Sequence, residues 1–99
     1  MKIIEDNGAT FRILVFPNEV TKIGDFLRIT DKQKRRSSLV QIIDKKNIGD
    51  LELLKILKNM NFFNGENDDI DNYYFLTSSN FLKKAKLLTC ILTRSRDVN

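Results

Sequence analysis

The sequence predicts a mainly β domain: a small closed or nearly closed antiparallel β-barrel with one short inserted α-helix at about residues 50–60. Three short runs are rich in Val, Ile, Phe and Thr, and turn-forming residues separate them at short intervals. These runs are residues 10–16, 26–30 and 39–43. This pattern is typical of a small, strongly curved sheet.

Chain length and composition indicate one globular domain with a modest core. The chain has 99 residues, of which 41% are hydrophobic and 30% are charged. We therefore treat residues 1–94 as a single barrel domain with a helix-plus-loop insertion at 49–72. The net charge of +4 is compatible with nucleic acid as a partner but is too small to indicate one by itself.

Cysteine and histidine usage excludes several kinds of site. Cys90 is the single cysteine and the chain has no histidine, so an internal disulfide and a Cys/His zinc site are both excluded. Cys90 lies in the apolar run KLLTCIL, where we expect a buried side chain and no nucleophile. No run approaches the roughly 18 apolar residues of a membrane span, and cytoplasmic residence fits best.

The remaining strands are expected on either side of these runs. Lys2–Ile4 is predicted as a first strand that turns at residues 6–8. Tyr73–Thr77 and Lys86–Thr93 are predicted as the closing strands, and residues 94–99 are expected to fray. Gly24 is predicted to have a positive φ at a corner of the sheet.

A change to helical periodicity begins at Gly49. Asp50 is expected to cap a helix whose apolar residues include Leu53, Leu57 and Met60. A helix of three turns is too short to be stable alone, so it must pack against the barrel.

An irregular acidic stretch follows, residues 59–72, and is predicted to be a surface loop. Phe62 and Phe63 either pack under the helix or form an exposed anchor for another protein. The acids, which include Asp68 and Asp69, lack the spacing of a calcium-binding EF-hand loop.

Basic residues occur in two groups. The loop DKQKRR carries Lys32, Lys34, Arg35 and Arg36, and is either a solubilising loop tip or a contact for phosphate or an acidic partner. Residues 81–96 carry no acid and five basic residues: Lys83, Lys84, Lys86, Arg94 and Arg96. This basic segment and the acidic 64–72 segment are either two solvated faces or complementary contacts between neighbouring subunits.

The sequence lacks the common motifs of phosphate-binding loops, dinucleotide-binding folds and serine hydrolases. It has no G-x-x-x-x-G-K-[ST], no G-x-G-x-x-G, no G-x-S-x-G and no metal-ligand cluster. We therefore expect this chain to have no catalytic residues, no cofactor and no metal.

The stretches GATFRI, EVTKIGDFLRI and LVQIID, followed by the closing AKLLTCIL, resemble the HAS-barrel. This small barrel lies at the N-terminus of HerA-type archaeal DNA translocases and is similar to the N-terminal barrel of ATP synthase catalytic subunits. The resemblance covers nearly the whole chain, which ends where the ATPase core of that family would begin. Residues 95–99 are then either a frayed tail or the start of a linker to that core.

The resemblance implies a non-catalytic assembly and docking module of a hexameric DNA translocase acting in DNA-end resection and repair. Its partners would be other copies of itself in a ring and a NurA-type nuclease, with DNA reached through the parent assembly and no membrane contact. The alternative is a stand-alone OB-like barrel that binds nucleic acid through residues 32–36 and the basic C-terminal strand. That alternative lacks an aromatic platform among the loop's basic residues. A barrel that binds a small molecule has no feature in its favour.

Overall fold

Five strands and three helices make up the part of the chain that the structure describes. In this computed structural model the backbone is described for residues 1–62 and 69–97, and side chains for residues 1–62 and 72–97. The strands are β1 (Lys2–Asp6), β2 (Thr10–Val15), β3 (Phe26–Asp31), β4 (Arg36–Asn47) and β5 (Lys86–Asp97). The helices are α1 (Asp50–Asn59), α2 (Asp69–Ser78) and α3 (Asn80–Lys83).

The strands form one antiparallel sheet in the order β1-β2-β5-β4-β3. The mainly β, antiparallel character predicted from the sequence is confirmed. A closed barrel is not confirmed. Closure requires the two edge strands to pair, and here the edge strands β1 and β3 do not pair with each other. The pairing of β4 with β5 is irregular between Leu39 and Val40 and between Ile42 and Asp44, and such bulges increase twist without closing the sheet.

The inner face of the sheet is buried by the curl of the sheet itself. Its buried cluster contains only strand residues. They are Phe11, Ile13, Val15, Val40, Ile42, Leu88 and Cys90, with Leu27, Ile29 and Leu92 packed against them. Among the residues with described side chains, no helix residue joins this cluster, and the strands curve around it.

The outer face is covered by the helices over only part of its length. Leu14 and Leu87, which oppose each other on β2 and β5, pack with the helical layer. The helices contribute Leu53, Leu57, Leu76 and Leu82, and the adjoining connections contribute Ile48 and Ala85. Farther along β5, no described helix residue covers the outer face, which is exposed at Ile91.

Helix α1 confirms the predicted helix at residues 50–60, with one correction at its start. The N-cap residue is Gly49, which makes no side-chain cap hydrogen bond, and Asp50 is already helical. Asp50 and Glu52 in the first turn still interact favourably with the positive end of the helix dipole. Leu53 and Leu57, one turn apart, are fully buried, which explains the docking of so short a helix.

The predicted strand Tyr73–Thr77 is wrong, because these residues lie in α2. The buried residues Asn72 and Leu76 are four positions apart, and Tyr74 and Phe75 between them are exposed. This is the periodicity of a helix and not the alternation of a strand. The loop predicted for 59–72 also ends earlier, since α2 begins at Asp69. A second correction follows: the insertion contains more than the single predicted helix.

Strand β5 is longer than expected. Residues 94–97 were expected to fray, yet they pair with β4 as far as Arg36 opposite Asp97. The predicted positive φ of Gly24 is confirmed at +96°, and its N–H donates to the Ile42 carbonyl at 2.7 Å. Within the described residues, no helix is both long and apolar enough to cross a membrane.

Candidate functional site

Three arginines lie together on the exposed part of the outer face. In an antiparallel sheet, directly opposed residues present their side chains on the same face. Arg28 on β3 and Arg94 on β5 both oppose Leu39 of β4, so the three form one row. The next row is Thr30, Ser37 and Arg96.

These arginines are exposed, and one of them is held in place. Arg28, Arg94 and Arg96 are all exposed, and none forms an ion pair with a described residue. Arg28 Nη1 donates to Ser37 Oγ at 3.0 Å, and Ser37 is only 3% exposed. The strand spacing places Arg28 and Arg94 about 10 Å apart at their Cα atoms.

An aromatic ring occupies the preceding row of the same face. Phe26 opposes Gln41, which opposes Ile91. Phe26 is 55% exposed and Ile91 is 38% exposed. Gln41 Nε2 donates to the Gly24 carbonyl at 3.2 Å and so ties the row to the adjoining turn.

We call this surface the arginine face. It consists of Phe26, Gln41, Ile91, Arg28, Leu39, Arg94, Thr30, Ser37 and Arg96. Its three rows contain no carboxylate. It therefore combines positive charge with an exposed aromatic ring.

The basic loop tip between β3 and β4 has a mixed electrostatic environment. Asp31 Oδ1 accepts from the N–H groups of Gln33 and Lys34 at 3.0 and 3.1 Å, which fixes the turn. Arg36 opposes both Asp31 and Asp97, so two carboxylates share its face. Attraction of phosphate to Arg36 is weakened accordingly.

The four predicted basic residues of this loop occupy two places: two line a cleft on the inner face, and two lie at the exposed tip of the loop. Lys34 and Arg36 line an open cleft of about 410 Å³ at this end of the inner face, together with Asp6 and Asp31. Lys32 and Arg35 are exposed at the tip, where Arg35 has a φ of +50°.

The predicted lysines at the start of β5 lie at the other end of the sheet. Lys83, Lys84 and Lys86 line a second cleft, of about 590 Å³, and Lys45 of β4 joins them there. Val15, Phe16 and Pro17 form its apolar wall. We call this cleft the lysine pocket. Lys86 and Arg96 are ten residues apart on β5, or roughly 30 Å.

Glu19 also lines the lysine pocket, but its carboxylate is engaged elsewhere. It accepts from the N-terminal ammonium of Met1 and, at 3.1 Å, from the Phe16 N–H. Burial raises the pKa of Glu19, but the hydrogen bonds from the ammonium and the Phe16 amide and the ammonium's charge outweigh it, so the pKa is lowered. Its charge is balanced by the N-terminus and not by a lysine.

The other predicted contact residues lie in or near the connection between α1 and α2. Phe62 follows α1 and is 47% exposed. Asp69 is the first residue of α2, whereas Phe63 and Asp68 lie outside the described residues. The proposed pairing of the acidic and basic segments therefore stays a prediction.

Cys90 behaves as the sequence predicts for a buried side chain. It is 0% exposed within the inner cluster. Burial raises the pKa of its thiol, which keeps it protonated.

Sequence reasoning missed Phe26, Arg28 and Lys45 as parts of these sites. The signal for the first two was the alternation in Phe26–Thr30, which places Phe26, Arg28 and Thr30 on one face of a strand. Lys45 had no local signal, because only the register opposite Leu88 brings it to the start of β5.

No family model, no curated protein and no solved structure matches this chain. The resemblance to the HAS-barrel therefore stays a prediction that rests on its sequence stretches.

Proposed function

We propose that this chain binds single-stranded nucleic acid on the arginine face. The observation that carries the proposal is that Arg28, Arg94 and Arg96 share three adjacent rows of the outer face, in which no carboxylate occurs, with the exposed ring of Phe26. This is the alternative hypothesis from the sequence, which used residues 32–36 and the basic C-terminal strand. The proposal keeps that strand and replaces the loop tip with Phe26 and Arg28 of β3.

Arginines on this face suit phosphate binding. Guanidinium groups donate two parallel hydrogen bonds to phosphate oxygens, and arginine retains its charge at any physiological pH. Arg28 is partly preorganised by its bond to Ser37 Oγ, which reduces the side-chain entropy lost on binding.

Phe26 supplies the aromatic platform that the basic loop lacks. Every base has a π-face, so stacking on an exposed ring binds unpaired bases with little sequence preference. In a duplex the base faces are already stacked on one another. Phe26 therefore favours single strands over duplexes.

The test is the binding of a short, fluorescently labelled single strand, followed by fluorescence anisotropy over a series of salt concentrations. The variant carries Arg28→Gln, Arg94→Gln and Arg96→Gln. Three lost phosphate contacts should reduce the slope of log K against log salt by about 2, since each contact contributes about 0.7 for a single strand. Affinity at low salt should fall roughly tenfold or more.

Lys55→Gln is the matched control. Lys55 is exposed on α1, away from the arginine face, and its loss removes one positive charge from the molecule. The proposal predicts almost unchanged binding for this variant. Equal binding by the triple variant and the wild type, with equal salt slopes, would exclude the arginine face.

The docking role in a HerA-like translocase, with a NurA-type partner, concerns a different surface and stays a prediction. Lys83 and Lys84 are exposed near the start of β5, where an acidic surface of a subunit or partner can reach them. Reversing the charges of Lys83, Lys84 and Lys86 should then weaken assembly measured by light scattering. Unchanged assembly and partner binding would count against that role.

A further inference from the structure

The lysine pocket carries an inference that goes beyond nucleic-acid binding on the sheet. We propose that it binds a small ligand bearing a diphosphate or longer oligophosphate group. Four lysines, Lys45, Lys83, Lys84 and Lys86, surround one cleft of about 590 Å³. Cavities of this size accommodate ligands as large as a nucleotide.

The charge in the pocket is strongly unbalanced. Among the described residues that line it, Glu19 is the one carboxylate, and it is bonded to the N-terminal ammonium and the Phe16 amide. Ion pairs among the described residues include none of the four lysines. The pocket therefore gathers four positive charges that no described side chain neutralises.

Two of the four lysines, Lys45 and Lys86, are half-buried. Cations gathered in one cleft repel one another, and an incoming anion with several charges relieves that repulsion. A diphosphate group provides more charges and acceptor oxygens than a single carboxylate does. It therefore matches four lysines better than a carboxylate ligand would.

Lys45 is already oriented for such a ligand. Its Nζ donates to the Thr21 carbonyl at 2.6 Å, which leaves two of its three N–H groups for a ligand. This anchored lysine reduces the ordering needed on binding. Lys83 and Lys84 are exposed and can close over the bound group as flexible point charges.

The apolar wall indicates what else the ligand carries. Val15, Phe16 and Pro17 line the pocket beside the lysines. The Phe16 ring is stacked on Phe81, with centroids 5.5 Å apart and an interplanar angle of 9°, so the wall is firmly held. A nucleoside diphosphate, with its flat base, should therefore bind more tightly than pyrophosphate alone.

The pocket is separate from the arginine face. Val15 opposes Lys86, which opposes Asn47, and this row belongs to the inner face of the sheet. Arg94 and Arg96 are on the outer face, roughly 25–30 Å from Lys86 along β5. The two surfaces can therefore be tested independently.

The test is calorimetric titration of the full chain with pyrophosphate and with a nucleoside diphosphate, each at moderate salt. We expect both to bind, with the nucleoside diphosphate tighter. Lys83→Gln and Lys86→Gln should each weaken binding roughly tenfold, as expected for one lost charge-assisted hydrogen bond. Lys55→Gln is the control and should leave binding unchanged.

Three outcomes would overturn the inference: no heat from either ligand at millimolar concentration, equal weakening by Lys55→Gln and Lys86→Gln, or displacement of pyrophosphate by an oligonucleotide that binds the same lysines. Lys83 is exposed, so its variant is expected to fold even if the Lys86 variant does not. None of these results depends on whether the arginine face binds nucleic acid.

Discussion

Replacing Phe26 by alanine tests the least expected part of the proposed site. Stacking of a base on an aromatic side chain contributes about 1–3 kcal/mol by alanine substitution. The Phe26→Ala variant should therefore bind a single-stranded oligonucleotide about 5- to 150-fold more weakly than the wild type. Phe26→Tyr should retain most of the affinity, because it keeps the ring.

Loss of folding does not account for that effect. Phe26 is 55% exposed, so its truncation removes less than half of the roughly 1.5–3 kcal/mol that full burial of such a side chain provides. The expected cost to the free energy of unfolding is about 1 kcal/mol, and a urea titration of the same variant checks this.

The matched control for Phe26 is Tyr74→Ala. Tyr74 is 68% exposed on α2, a comparable loss of an exposed ring at a distant place. Anisotropy titrations of the wild type and the three variants complete the assay. If Phe26→Ala binds as tightly as the wild type, or if Tyr74→Ala weakens binding as much, stacking on β3 is refuted.

The other predictions concern the stability of the fold. Leu57→Ala, at a fully buried position, should lower the free energy of unfolding by about 2–5 kcal/mol, whereas Leu51→Ala, at a position 73% exposed on the same helix, should change it by less than about 0.5 kcal/mol. Similar urea midpoints for the two variants would contradict the packing of α1. The lowered pKa of Glu19 means that its carboxylate stabilises the fold above its unfolded value of 4.5 and loses this contribution as pH falls through the folded pKa. Glu19→Gln should therefore have a lower free energy of unfolding than the wild type near neutral pH, and this difference should disappear in acid. A difference that is the same at neutral and acidic pH would contradict the carboxylate's role.

Most strands were predictable because their signals are local. The runs that became β2, β3 and β4 are rich in β-branched and aromatic residues and are separated by turn formers. The turn at Gly24 was likewise predictable from the sequence, because glycine adopts a positive φ more easily than other residues do. Helix α1 followed from the spacing of its leucines.

The errors arose where long-range contacts decide the structure. Tyr73–Thr77 has aromatic residues that favour a strand, yet Leu76 is buried in the cluster that includes Leu53 and Leu57, and the segment is helical. The strand extension at residues 94–97 depends on pairing with β4. Closure into a barrel depends on contact between β1 and β3, which no local pattern encodes.

The site was predictable only in part for the same reason. The clustering of Lys83, Lys84 and Lys86 is visible in the sequence, and the structure brings them to one pocket. The arginine face combines residues from β3 and β5, which are more than sixty positions apart. Only the register of both strands with β4 brings Arg28 beside Arg94.

The most direct test of the central claim is a backbone amide NMR titration with a short single-stranded oligonucleotide. The proposed function predicts chemical-shift changes concentrated in Phe26–Thr30, residues 37–41 and residues 91–96. Amides near Lys45 and Lys86 should remain unperturbed at the same concentrations. Changes confined to the lysine pocket or to the loop tip at residues 32–36, or no changes at all, would contradict binding on the arginine face.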